Sequence, residues 1–160
     1  MARGVGGWLG AGGRILLVMA PATLGLLGVG LWAAAWIPAA IRPAAVLVGA
    51  VLVVLGVGVI LRAFAALRTA REANRLCTSG PYAHVRHPLY AAWIWLMLPG
   101  VALLIGLWPL LLAAPLMAFV TGRWLPAEER SLREGFPERY QAYAAAVPAL
   151  WPRLRPWNPD

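Results

Sequence analysis

A chain of 160 residues that is 61% hydrophobic and only 12% charged cannot cover its apolar surface as a water-soluble globule. The formal charge of +8 does not point to nucleic acid, because the basic residues are all arginines and most flank apolar runs instead of forming one basic face. The single cysteine, Cys77, excludes an internal disulfide framework and a Cys-rich metal site.

Crossing a hydrocarbon core of ~30 Å takes about 20 helical residues, and charge-free runs near that length predict an all-α, polytopic membrane protein of about four transmembrane helices. One domain over residues 1–160 is expected. Residues Met1 to Gly13 are Gly-rich and lack a clear cleavage signal, so the run that follows Arg14 reads as a retained span. That first span covers Ile15 to Ile37 and ends near Trp32 and Trp36, and Pro38 to Pro43 turns the chain. The second covers Ala44 to Leu61, extending toward Leu67. Leu89 to Ile105 forms the third and Leu107 to Val120, running on to residue 122, the fourth. They meet at Gly106-Leu107-Trp108-Pro109, which reads as a tight helical hairpin. Pro21, Pro99 and Pro115 lie within spans, where each removes a backbone donor.

Orientation follows from the arginines, since short translocated loops are poor in them. Arg3 and Arg14 precede the first span, Arg62 to Arg86 fall between the second and third, and Arg123 to Arg155 follow the fourth. Only Arg42 lies on the opposite side. Both termini and the middle loop are therefore expected in the cytoplasm, with the protein in a bacterial inner membrane.

Polar, titratable residues concentrate in two stretches on the arginine-rich side. The first, within residues 76–90, is Thr78-Ser-Gly-Pro-Tyr-Ala-His-Val-Arg-His-Pro-Leu-Tyr90. Gly80-Pro81 favours a turn and Pro88 suits a helix start, so Arg86 and His87 sit at a constrained helix entrance. Read singly, Tyr82, Tyr90 and Trp93 are interfacial anchors and Arg86 a phosphate-facing side chain. The second stretch, residues 123–150, leaves the fourth span with Pro126 read as a helix start. Glu128 and Glu129 then complement the positive end of that helix. Leu132, Phe136, Tyr140, Tyr143 and Val147 form one apolar stripe, divided by Pro137, whose default meaning is an amphipathic segment on the membrane interface. Carboxylates gain nothing beside an anionic surface, so the paired acids point to a cationic ligand.

The spacing Gly80-x-Tyr82-x-x-x-Arg86-His87-Pro88-x-Tyr90 is followed by Glu128-Glu129-x-x-Leu132-x-x-x-Phe136-x-x-x-Tyr140-x-x-Tyr143 and Val147-Pro148. Together they resemble the isoprenylcysteine carboxyl methyltransferase and phospholipid methyltransferase superfamily, from about Leu76 to Pro152. Pro137 and Ala91-Ala92 depart from the eukaryotic isoprenylcysteine branch. The resemblance implies a small helical membrane enzyme that uses S-adenosyl-L-methionine and methylates a lipophilic acceptor among membrane lipids. It implies a cofactor site built from Gly80, Tyr82, Arg86, His87, Pro88, Tyr90, Glu128 and Glu129, with Arg123 and Glu129 as reaction residues. In that reading Arg86 holds the cofactor carboxylate with His87 as a second donor. Glu128 or Glu129 accepts from ribose or ammonium, and Tyr82 or Tyr90 lies against adenine or sulfonium. Two alternatives stand beside it: a non-catalytic scaffold or lipid-binding protein, and a nicotinamide-dependent enzyme like the membrane sterol reductases.

Overall fold

A computed structural model describes residues 11–158, all-helical apart from turns, an extended tail and one isolated antiparallel bridge between Trp36 and Leu107. Arg3 and most of the Gly-rich start lie outside the described residues, as does the Arg14 side chain. In order come α1 (Ala11–Trp32), α2 (Arg42–Glu72), α3 (Pro88–Ala92), α4 (Leu98–Ile105), α5 (Ala113–Gly135) and α6 (Pro137–Ala146). A π-helical turn, Trp93–Met97, joins α3 and α4 into one rod, Pro88–Ile105. Its wide turn precedes Pro99, which has no N–H to give, and the Leu98 N–H reaches back to the Trp93 carbonyl.

Among the described residues, three helical stretches are long and apolar enough to cross a membrane: Arg42–Glu72, Pro88–Ile105 and Trp108–Gly135. In α1 the apolar stretch Leu17–Trp32 is shorter. On α2, Leu47, Val54 and Leu61 point outward, 67%, 70% and 64% exposed, an arrangement that fits lipid and not water. These features mark an integral membrane protein.

The helices differ from the sequence expectation at their ends. α1 stops at Trp32, short of Ile37, because Ala34 turns with φ +47° and the chain then pairs with the hairpin: Ile37 N–H donates to the Gly106 carbonyl at 2.8 Å. α2 is longer than expected, 31 residues or about 46 Å. Its last turns therefore extend past a ~30 Å hydrocarbon layer and carry Arg68 and Arg71 beyond it. The larger correction concerns Pro126. It does not start a helix: α5 runs unbroken from Ala113 through Pro126 to Gly135, after a 3-10 turn at Trp108–Leu112. Glu128 and Glu129 thus sit about four turns inside a helix, where the N-terminal dipole does not reach.

Packing explains how the rods are held. The buried positions of α2 are Gly49, Gly56, Ala63 and Ala70, one small residue every two turns, which lets α2 approach α4 closely. A Cβ on Gly49 would meet the Gly100 carbonyl oxygen at 2.8 Å, and one on Gly100 would meet Val53 Cγ2 at 2.9 Å. Ile15 and Met19 of α1 pack with Ile94, Met117 and Val120 toward one end, while Leu107 and Leu110 pack with Ala102 toward the other. The hairpin expected at Gly106 is present, with Gly106 at φ +83°, a conformation that suits glycine. Arg42 lies against it and donates to the Ile105 carbonyl at 3.2 Å, so the lone arginine of this end caps a helix C-terminus.

Candidate active site

At the opposite end the chain enters α3 through a 3-10 turn, Gly80–Ala83, in which Gly80 takes φ +60° and Pro81 starts the turn. Residues 83–87 are then held by the tail beyond α6. Arg86 N–H donates to the Pro148 carbonyl (2.9 Å) and His87 N–H to the Ala149 carbonyl (3.2 Å). Arg153 N–H donates to the His84 carbonyl (2.9 Å) and Trp157 N–H to that of Ala83 (2.8 Å). Backbone bonds on both sides of Val85 leave Arg86 and His87 little freedom.

Their side chains meet α5. Arg86 Nη2 lies 3.0 Å from Glu129 Oε1, and both side chains are only 15% exposed. The same oxygen accepts from His87 Nε2 at 3.2 Å, which assigns the hydrogen to Nε2, since the carboxylate can only accept. Arg86 Nη1 donates to the Ala144 carbonyl at 3.0 Å, so one guanidinium joins α5 to α6. Tyr90, three residues after His87 and thus on the same helical face, donates its hydroxyl to Glu128 Oε2 at 3.1 Å. Arg86 is thus held by a protein carboxylate and a protein carbonyl.

Two cavities flank Arg86. One, of about 530 Å³, is walled by Trp95, Gly122, Leu125, Glu129, Leu150 and Trp151. On that wall Trp95 donates Nε1–H to the Leu150 carbonyl at 2.9 Å while its ring centroid lies 4.1 Å from that of Trp151. Pro126 has no N–H, so the Gly122 carbonyl on this wall has no donor four residues on. The other cavity, of about 320 Å³, is lined by Tyr82, Phe136, Tyr140 and Tyr143 with Arg71 and Arg75 at its edge. One buried polar atom here, Arg86 Nε, has no hydrogen-bond partner among the described residues, and the Tyr140 hydroxyl is buried beside the Glu129 carboxylate. Burial first, then the nearby Glu129 carboxylate, pushes the Tyr140 phenol up to about 12. Burial likewise pushes Tyr82 up to about 12, so both remain neutral donors at physiological pH.

Of the residues expected at the site, Arg86, His87 and Glu129 form one bonded network and Tyr90 with Glu128 a pair beside it, the His87 and Tyr90 rings stacking at 6.0 Å, and Pro88 is buried as the first residue of α3. Tyr82 lines the smaller cavity, and Gly80 shapes the turn on the far side of α3. Arg123 is exposed and stands outside the network. The aromatic stripe faces the protein and not lipid: Tyr140, Tyr143 and Val147 are buried with Leu76, Phe136 and Trp157, and the Tyr143 hydroxyl donates to the Tyr82 carbonyl at 2.7 Å. Sequence reasoning missed Trp95 and the tail to Trp157. The available signal was proline: Pro148, Pro152 and Pro156 keep the tail extended between its tryptophans.

The pattern described as the isoprenylcysteine carboxyl methyltransferase (ICMT) family matches residues 42–134, more than half of the chain. That range holds Arg86, His87, Tyr90, Glu128 and Glu129 and stops before α6 and the tail. The chain is 32% identical over 148 residues to the cobalt-zinc-cadmium resistance protein CzcN of Cupriavidus metallidurans, covering 88% of this chain and 62% of that protein. It is 31% identical over 130 residues to the nickel-cobalt-cadmium resistance protein NccN of Alcaligenes xylosoxydans xylosoxydans, covering 77% of this chain and 55% of that one. It thus spans less than two thirds of either relative. No solved structure matches.

Proposed function

The chain belongs to the isoprenylcysteine carboxyl methyltransferase family, and from that premise we propose that it is an S-adenosylmethionine-dependent methyltransferase acting on a lipophilic, membrane-embedded acceptor. The observation that carries this reading is the buried Arg86–Glu129–His87 network set between two cavities.

The residues present fit the cofactor. A molecule with a carboxylate, an ammonium, a sulfonium and a nucleoside needs an anion partner, a cation partner and aromatic surface within one site. Arg86 Nε is a buried donor without an acceptor among the described residues, which an oxygen-rich ligand satisfies. Glu129 and the Gly122 carbonyl supply negative charge, and Tyr82, Phe136 and Tyr143 supply flat apolar walls. When bound, S-adenosylmethionine contributes an electrophilic methyl group.

The chain's own part is alignment and exclusion of water. Arg86 and His87 fix the Glu129 carboxylate from two directions, so its charge stays in place without reorganisation. Trp95, Leu150 and Trp151 form the tail-side wall of the larger cavity. An acceptor carboxylate or thiolate needs no base, whereas an amine must arrive neutral. A metal-resistance role for methylation is the context that the relatives' names supply.

We further propose four spans, with α1 as the first, and both termini on the cytoplasmic side with the network. The turn at residues 38–43 and the Gly106 hairpin share one end, and the arginine-rich segments share the other, which supports this orientation. The test of function is equilibrium binding of S-adenosylmethionine to the purified protein in detergent, with a reduced nicotinamide nucleotide as comparator. Saturable binding of the first alone is expected; binding of the second alone would give the reductase reading, and binding of neither the scaffold.

A further inference from the structure

On the face of α3 turned away from Glu128 and Glu129 lies a third cavity, of about 480 Å³, between α2 and the helix entrance. Its walls are apolar, from Val59 on α2 and from Ala92, Trp95 and Leu96 on the rod opposite. Among the described residues that line it, two are ionisable, Arg62 and His84, and neither is acidic. Arg62 is the first charge on α2 after Arg42, so the cavity opens where the charge-free run ends, at the level of the membrane boundary. Arg62 is exposed and makes no ion pair with a described residue.

His84 is half-buried, and its Nδ1 lies 2.9 Å from the Arg153 carbonyl oxygen. A carbonyl only accepts, so Nδ1 carries a hydrogen and Nε2 is the nitrogen left for a ligand. In the protonated ring both N–H groups need acceptors. The protein supplies one, and an anion at Nε2 supplies the other.

We infer that this cavity is a binding site for one anionic phospholipid, whose phosphate sits between Arg62 and His84 and whose acyl chains follow the apolar walls of α2 and the rod toward the hydrocarbon. Charge complementarity selects an anion, because the described lining has the Arg62 cation and no carboxylate to repel it. The apolar walls continuous with the two spans select a lipid over free phosphate. The site does not include the Arg86 network, although Trp95 walls both this cavity and the one beside Arg86. It reaches that network through the tail, since Arg153 holds both the His84 ring and the His84 carbonyl.

The test counts bound lipids by native mass spectrometry on the full chain in neutral detergent, titrated with dioleoylphosphatidylglycerol or dioleoylphosphatidylcholine. One phosphatidylglycerol is expected to remain at detergent levels that strip phosphatidylcholine. Arg62→Gln and His84→Gln should each weaken it about five-fold, and the glutamine amide can still donate to the Arg153 carbonyl, which preserves the tail contact. Arg68→Gln, at an exposed residue paired with Glu72, should change nothing. Equal retention of the two lipids, displacement by millimolar inorganic phosphate, or an equal loss in Arg68→Gln would each overturn the assignment.

Discussion

The two ends of the molecule solve opposite problems with arginine. At the hairpin end Arg42 meets only neutral groups, the Ile105 carbonyl and the Trp36 ring 5.7 Å away, and its role is complete once a helix terminus is capped. At the other end Arg86 is tied to a carboxylate and a carbonyl and still has a buried N–H without a partner among the described residues. Buried donors are ordinarily satisfied. An arginine that leaves no buried donor unpaired among the described residues is structural, whereas one that keeps a buried donor unused is prepared for a ligand.

Substitutions at the two ends should therefore differ in kind. The largest effect is expected for Glu129→Gln, which leaves the buried Arg86 without its counter-charge and should cost about 3–5 kcal/mol of stability, read by denaturation in detergent. An effect near zero would mean that the pair is solvated and that the ligand-ready end is no different from the surface. Next comes the lipid-facing half, where Gly100→Val should cost about 1–3 kcal/mol by forcing α4 off α2. The folded fraction of that variant should keep its affinity for S-adenosylmethionine, and a large loss of affinity would erase the distinction between the halves. The smallest effect is expected for Glu128→Gln, since its partner Tyr90 is a neutral donor that an amide oxygen also accepts. A loss under about 1 kcal/mol is expected, and a cost matching that of Glu129→Gln would show that the acids act as one unit.

What could be read from the sequence follows the same division. Apolar runs and arginine spacing located the helices and the Gly106 hairpin, because length and charge are local properties. The convergence of Arg86 and His87 with Glu128 and Glu129 was expected only through the family spacing, since no local rule brings residues about 40 apart together. Pro126 misled because proline is as acceptable at a helix start as it is costly inside one. Only the continuous α5 shows which cost is borne. The end of α1 escaped notice because Ala33 to Ile37 is apolar whether helical or not, and pairing with the hairpin decided it. The tail's hold on residues 83–87 is made by backbone groups, which leave no side-chain pattern to read.

The most direct measurement is the affinity of S-adenosylmethionine for the unmodified protein and for Arg86→Ala, by calorimetry in one detergent, with ligand-free unfolding recorded so that only folded protein is compared. A loss of about 1.5–3 kcal/mol, roughly 10- to 150-fold, is expected if the buried guanidinium donates a charged hydrogen bond to the cofactor. Arg86→Lys should recover only part of it, because a point charge replaces a planar fork. Full affinity in Arg86→Ala would contradict the assignment of this end as the cofactor site.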